Sequence, residues 1–332
     1  MSTETGIRSA LGLSDDDAHW YDTWERLGPP PEPVVLPSRE AVAELLTGRL
    51  GVDPVDVEAA IEAYPDPQAD PVLWWLLERT HHQLVADMGG IGMLMWPRLH
   101  RKFGLKGRFV HLYAFLATLP ALLAYHRSRG VPEEVTWATL SNLAEKLRLN
   151  RVRHGEPGLD VALWFTLHFR GSLYRLGRLE FALERLSDTH AFTGEPAGLI
   201  KLGVHIPGDG GPMGDAACGE SIARARAFFA EKFADLLPQP ALFTCASWLL
   251  DPQLREFLAP TSNIVRFQDR FTLIPPTAKA DSAGREDVLL FVFNRTEPVD
   301  PDTLPRDTTL TRHLADGLSA GRNWQVRLGW FR

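Results

Sequence analysis

Cysteine is scarce in this 332-residue chain, which carries only Cys218 and Cys245. Two cysteines build no disulfide framework, and without a C-x-x-C pair they offer no thiolate metal site. A reduced, cytoplasmic setting follows as the expectation. Positive charge is also short, with 35 Lys+Arg against 42 Asp+Glu and a formal net charge of −7. Nucleic-acid binding depends on a clustered basic surface for phosphate contacts, so this balance argues against it. The start, MSTETGIRSALGLSDDDAHWYDTW, has neither the basic opening nor the apolar run of a signal peptide. The longest apolar stretch, Phe109 to Tyr125, contains His111, Tyr113 and Pro120 and falls short of a membrane span, so a buried helix is expected there. Two nucleotide signatures are missing as well. No lysine follows Gly214 as G-x-x-x-x-G-K-[ST] requires, and the glycine-rich loop lacks a strict G-x-G-x-x-G, which makes ATP and NAD poor candidates.

What remains is an ordinary globular composition, 45% hydrophobic and 23% charged, in a chain long enough for two domains. Residues 1–37 read as an extended lead-in containing the stiff segment LGPPPEPVVLP. From Arg39 to Leu50, Pro54 to Ala63, Pro71 to Met88, Phe109 to Arg129 and Pro132 to Leu147, apolar residues recur at three- and four-residue spacings, which predicts helices. Ser38, Asp53 and Asp70 stand at N-cap positions, the last two with proline following. Within these helices Glu78, His81 and His82 lie close together, but H-E-x-x-H is absent and no third ligand stands out, so no metal is expected. Residues 1–150 therefore form a helical N-terminal domain.

From Arg151 the period changes to two, and residues 151–332 read as a mixed-sheet α/β domain, making the whole chain α+β. LWFTLHFRG alternates Phe165, Leu167 and Phe169 with Trp164, Thr166, His168 and Arg170. LYRLGRLEFALERL follows after Gly171 and Ser172, a spacing that predicts an antiparallel hairpin. AGLIKLGVHIP is a third strand, ALFTCASWLL a fourth after a helix over Asp215 to Phe233, and IVRFQDRFTLI and DVLLFVFNR a fifth and sixth, with a short helix at Pro252 to Leu258.

Between the third strand and its helix lies GDGGPMGDAACGES. A strand running through glycines into a helix N-terminus leaves free backbone N–H groups aimed at an anion, and glycine lets the ligand approach the backbone. Asp209 and Asp215 face such an anion unfavourably unless they turn outward, and Asp215 can N-cap the helix.

The order hairpin, strand, glycine loop, helix, strand, helix, closing strands resembles the GNAT acyltransferase fold. More specifically, HGEPGL…GSLYRLGRLEF, GVHIP, FTCASWLLDPQL…SNIVRFQ and LPRDTTL…GWF look like the two-domain bacterial N-acyltransferases, which join a helical N-terminal domain to a GNAT-like C-terminal domain. The resemblance covers nearly everything past residue 35. It departs at the loop, where the Q/R-x-x-G-x-G/A pattern lacks its leading arginine or glutamine, so anion binding there rests on Gly208, Gly210, Gly211 and Gly214. The resemblance implies an acyl-CoA co-substrate, or a phosphopantetheine thioester on an acyl carrier protein, rather than a tightly bound cofactor. The thioester would lie beside Val204 and Ile206 in the splay between the third and fourth strands. Arg224, Arg226 and Lys201 are candidates for the donor's phosphates. The acceptor would be a small-molecule or peptide amine.

Acyl transfer to an amine needs a base for the amine, a polarised carbonyl and a proton for the leaving thiolate. His205, on the strand face shared by Lys201 and Gly203, suits the base. Ser247 and Cys245 on the fourth strand are candidates to protonate the thiolate, and Cys245 also for a covalent nucleophile. Cys218 sits near a helix N-terminus that would lower its pKa if exposed. His168, Arg178, Glu180 and Trp164 are candidates to position the acceptor. The other readings are a GNAT-like module that binds acyl-CoA or peptide without turnover and, third, a cysteine hydrolase using Cys245 and His205.

Overall fold

The computed structural model describes residues 3–97, 99, 103–187, 194–275 and 278–332, and the chain divides into two units, Met1–Tyr174 and Arg175–Arg332. The first unit is helical: α1 (Thr3–Leu11), α2 (Ala18–Leu27), α3 (Arg39–Glu44) running into a π-helical turn (Leu45–Arg49), α4 (Pro54–Glu62), α5 (Pro71–Ala86), α6 (Gly104–Arg129), α7 (Glu133–Leu140), α8 (Asn142–His154) and α9 (Ala162–Phe169). Ser38 caps α3 by accepting the Ala41 amide at 3.2 Å. The other two cap positions are used differently. Asp53 takes Arg151 Nη2 at 2.6 Å and Asp70 pairs with Lys106, so proline at the first helical position, rather than the carboxylate, starts α4 and α5.

Helix α6 is long and apolar enough to cross a membrane by length and composition, and 67% of its apolar window is buried in the structure. It packs along α5 and against α4 and α9. Phe109, Leu112, Phe115 and Leu122 of α6 meet Leu73, Leu76, Leu77 and Leu84 of α5 and Phe165 and Phe169 of α9 in one core, where the Phe115 and Phe169 rings stack at 4.8 Å. His81 and His82 spend their Nδ1 atoms on Thr118 Oγ1 (3.0 Å) and Gly28 O (3.1 Å).

Two expectations for this unit fail. The lead-in is not wholly extended, because α1 and α2 occupy it and bury Leu11 and Trp24 in the core. Trp24 anchors α2 by donating its indole N–H to Gln83 at 2.9 Å. Residues 162–169, read as a strand, form α9. Nearly every side chain of this short segment is buried, so its alternation carries no directional signal, and Phe165 and Phe169 share a face at helical spacing. The division at Tyr174 falls later than the boundary drawn at residue 150, since this helix extends the helical unit.

The remaining strands and α-helices are β1 (Leu173–Arg175), β2 (Glu180–Arg185), β3 (Ile200–His205), α10 (Asp215–Lys232), β4 (Phe243–Ser247), α11 (Asn263–Gln268), β5 (Thr272–Leu273), α12 (Ala278–Phe293), α13 (Thr309–Ser319) and β6 (Arg327–Phe331), with short 3-10 turns at Trp248–Leu250, Pro252–Glu256 and Pro301–Thr303. The sheet order is β1-β2-β3-β4-β6-β5, with β2/β3, β4/β6 and β5/β6 antiparallel and β3/β4 parallel. The hairpin lies within LYRLGRLE rather than before it, turning at Gly177 (φ +93°), with the Leu176 amide donating to Leu179 O at 3.0 Å. Of the predicted fifth strand only the end, Thr272–Leu273, is a strand, β5; residues 264–268 belong to α11, capped by Ser262 Oγ on the Val265 amide, and the predicted sixth strand is helical, with residues 287–293 in α12. Helix α12 packs Val288, Leu289 and Phe293 against Leu314, Leu318 and Trp324. It also brings Gly284 so close to the Trp324 carbonyl that no side chain fits between them. The closing strand is instead β6, whose Phe331 stacks on Phe243 of β4 at 4.8 Å.

Candidate active site

The parallel strands β3 and β4 pair at Leu202–Phe243 and Gly203–Thr244, then run on to His205 and Ser247; among the described residues they form no further rung with each other. Each keeps its ladder on the outer side, β3 with β2 through His205–Glu180 and β4 with β6 through Ser247–Arg327. The result is a gap in the middle of the sheet edged by backbone amides and carbonyls.

Alternation along β3 sends Lys201, Gly203 and His205 to one face, toward Thr244 and Ala246 of β4. A cavity of about 210 Å³ opens there, lined by Glu184, Lys201, Gly203, His205, Thr244 and Ala246 among others. Lys201, 4% exposed, donates to Thr244 Oγ1 at 2.7 Å and pairs with Glu184 Oε2; Glu184 Oε1 accepts from His205 Nε2 at 3.2 Å. Burial raises the Glu184 pKa, but the His205 hydrogen bond and the Lys201 and His205 charges outweigh it and hold the carboxyl at about 2. The Glu184 side chain reaches both partners because it lies over Gly203. A Cβ on that glycine would stand 2.5 Å from Glu184 Cδ. Glu180, buried, is the register partner of His205 on β2.

At the end of β3 the chain enters the glycine loop, in which Gly211 (φ +71°) takes the left-handed turn. Gly214 is the N-cap of α10, and the first helical bond runs from Cys218 N to Gly214 O at 3.0 Å. Among the described residues, the amides of 208–211 and 213–217 donate to no protein acceptor, which leaves a row of N–H groups at the positive end of an 18-residue helix. Arg178 braces this loop by donating to Pro207 O at 2.9 Å and lying against Gly210. Both flanking carboxylates are neutralised: Asp209 by Arg175 (3.0 Å), and Asp215 by Arg270 and by Arg266 (4.0 Å). Asp215 is the first residue of α10, engaged by arginines, and does not cap the helix.

With this geometry in place, the chain can be set beside proteins of known structure. Residues 41–171 match an N-acyltransferase N-terminal domain and residues 173–331 a GNAT-like C-terminal domain. Solved structures align over nearly the whole of both chains. An acyltransferase in complex with decanoyl-CoA and teicoplanin is 40% identical, with a TM-score of 0.90, over 99% of each chain. A mutant acyltransferase in complex with octanoyl-CoA is 39% identical at the same TM-score, over 100% of this chain and 99% of that one. An acyltransferase with decanoyl-CoA is 38% identical, again at 0.90 and over 99% of each. The chain belongs to the two-domain N-acyltransferases. No curated protein sequence matches it.

The remaining candidate residues of this acyltransferase fall into distinct settings. Val204 is buried on β3, and Ile206 is half-buried against the α12–α13 cluster. Ser247 Oγ accepts the Leu249 amide at 3.1 Å, which leaves its own O–H to turn outward. Cys245, 2% exposed on the face away from Lys201, has its thiol pushed up to about 12, first by burial and then by the Glu184 charge. A buried thiol held protonated is a poor nucleophile. Cys218 is buried too, and burial raises its pKa despite Arg178 and Arg270 nearby. Arg224 is exposed on α10, while the Arg226 guanidinium stacks over Phe243 at 5.0 Å. Trp164 and His168 lie on α9 in the first unit. His168 is fully buried, donating Nδ1–H to Trp164 O at 3.2 Å, which makes it a core histidine rather than a residue of a strand face. Sequence reasoning passed over Glu184 and Thr244. The alternation of EFALER does place Glu184 on the face of Glu180, and that was the signal available for it.

Proposed function

We propose that this acyltransferase takes its acyl group from acyl-CoA and passes it by direct attack to an amine on a glycopeptide-class acceptor. The observation that carries the donor half is the pairing of a gap between β3 and β4 with a row of unused amides at residues 208–211 and 213–217. A pantetheine arm fits such a gap as a missing strand would, and a pyrophosphate suits amides at a helix N-terminus. Gly208, Gly210, Gly211 and Gly214 supply these donors, with Arg224 free to approach the remaining phosphate from the exposed face of α10. The acceptor class follows from the relatives solved with teicoplanin.

In this reading His205, at the mouth of the gap, removes a proton from the attacking amine. A backbone amide of the parted strands polarises the thioester carbonyl, and its developing negative charge is held by the same N–H. The C–N bond forms, the C–S bond breaks, and the Ser247 hydroxyl donates a hydrogen bond to the departing thiolate. Arg178 and Glu180 support the floor of the site from β2 and the turn before it. Cys245 takes no covalent part.

The test is thiol release from decanoyl-CoA by the purified chain, with and without a teicoplanin-type glycopeptide bearing a free amine. Release that depends on the acceptor supports amine transfer. Release at the same rate without it indicates hydrolysis, and no release from acyl-CoA or from an acylated carrier protein removes the donor assignment.

A further inference from the structure

Glu184 faces Lys201 directly across the β2–β3 ladder, whereas His205 stands four residues further along β3, roughly 13 Å away at strand rise. An ion pair straight across two strands needs no special floor beneath it. Glu184 nevertheless lies down along the sheet toward His205, over the one position of β3's polar face without a Cβ, and its two oxygens are divided between Lys201 and the His205 ring. Lys201 is in turn buried and tied to Thr244 Oγ1 on the neighbouring strand. The carboxylate is thus held at both ends in the one pose that meets the imidazole.

We infer that Glu184 is a positioning residue for His205, with Lys201, anchored on Thr244, as the counter-charge that keeps its carboxylate aimed across Gly203. The inference rests on the reading of His205 as the base. By accepting Nε2–H, Glu184 fixes the neutral ring in the tautomer whose lone pair is on Nδ1, and it stabilises the imidazolium once the amine's proton has arrived. The groups facing the ring are Glu184 and Glu180 from β2 and Lys201 from β3. Thr244 and Ala246 of β4 are uncharged, Arg185 lines the cavity, and Arg178 is held against the loop at Pro207. Loss of the Glu184 carboxylate removes the acceptor that aims the ring and leaves Lys201 with Thr244 alone, so turnover should fall.

The experiment compares His205→Ala, Glu184→Gln and Lys201→Met in the full chain, reading kcat and KM for acyl-CoA separately. Glu184→Gln should lower kcat on the order of 100-fold with KM changed less than about twofold. Lys201→Met, which frees the carboxylate from its anchor, should lower kcat by less. If His205→Ala abolishes turnover while Glu184→Gln leaves kcat where it was, the positioning role is wrong and the base reading stands. If His205→Ala retains turnover, the base reading itself is wrong. The imidazole nitrogen shifts of the unmodified protein give a check that no misfolded variant can confuse: an Nε2–H ring at neutral pH is expected, and an Nδ1–H ring overturns the inference.

Discussion

Replacing Gly203 by alanine is a one-atom perturbation whose cost can be worked from the site. The three atoms nearest to the added Cβ all belong to the Glu184 carboxyl group, the far end of a flexible side chain, so the steric penalty itself is small. The cost comes from where Glu184 must go. Swinging aside breaks its hydrogen bond with His205 and its pairing with Lys201, leaving Lys201 buried with only Thr244. Hydrogen bonds to charged groups contribute about 1.5–3 kcal/mol each. The Glu184 and His205 side chains are 29% and 31% exposed, so water makes good part of the loss. Set against this is the roughly 0.5–1 kcal/mol by which alanine is preferred to glycine inside a strand. A net destabilisation of about 2 kcal/mol results. In a Glu184→Ala background the obstacle is absent, and Gly203→Ala should then be neutral or slightly stabilising, which gives a coupling of about 2–3 kcal/mol. Because the chain has two units, global unfolding need not be two-state, so native-state hydrogen exchange of the Ile200–His205 amides is the suitable assay. Additive effects, with coupling below about 0.5 kcal/mol, would refute the placement of Glu184 over Gly203.

Three further outcomes are expected. Glu184 sits at about 2 in the folded protein against an ordinary 4.5, so the unfolded chain binds its proton first; the stability it contributes is complete above pH 4.5 and is lost between 4.5 and 2. Acid unfolding of Glu184→Gln should lack that component, and identical acid transitions would contradict the pairing. Cys245→Ala should keep turnover within about threefold, and Cys245 in the folded wild type should resist alkylation at pH 8 because its thiol is buried and near 12; rapid labelling would reopen the covalent route. Gly211→Val forces a β-branched residue to φ +71° and should weaken acyl-CoA binding about tenfold or more by calorimetry, with unchanged affinity arguing against the loop as the donor site.

How much of this could be read from sequence differs from segment to segment. The path from Ile200 to Phe233 was legible because each part obeys a local rule: alternation in β3, a glycine at the left-handed turn, and an amphipathic helix after it. The polar face of Lys201, Gly203 and His205 followed from the same alternation. Glu184 was harder, since its part depends on the β2–β3 register and on the empty space above Gly203, and neither is a local property. Dense runs of large apolar residues fit either period. Ala162–Phe169 buries Thr166 and His168 along with most of its apolar residues, and Val288–Phe293 is apolar throughout although Phe291 is exposed, so helix and strand fit their patterns equally and tertiary packing decided. Trp164 and His168 went wrong with the first of these, because a face assigned on a strand has no meaning on a helix. Asp215 was placed correctly near the helix start but given the wrong work, since capping was read from position alone and Arg270 and Arg266 lie distant in sequence.

The most direct test is a rapid-quench experiment in which the chain is loaded with decanoyl-CoA, mixed with an amine-bearing teicoplanin-type glycopeptide, and read by intact mass. Direct transfer predicts that the acceptor gains the acyl mass in step with CoA release while the protein's own mass stays unchanged. An acylated protein that precedes product, or CoA released with no acylated acceptor, would contradict the account.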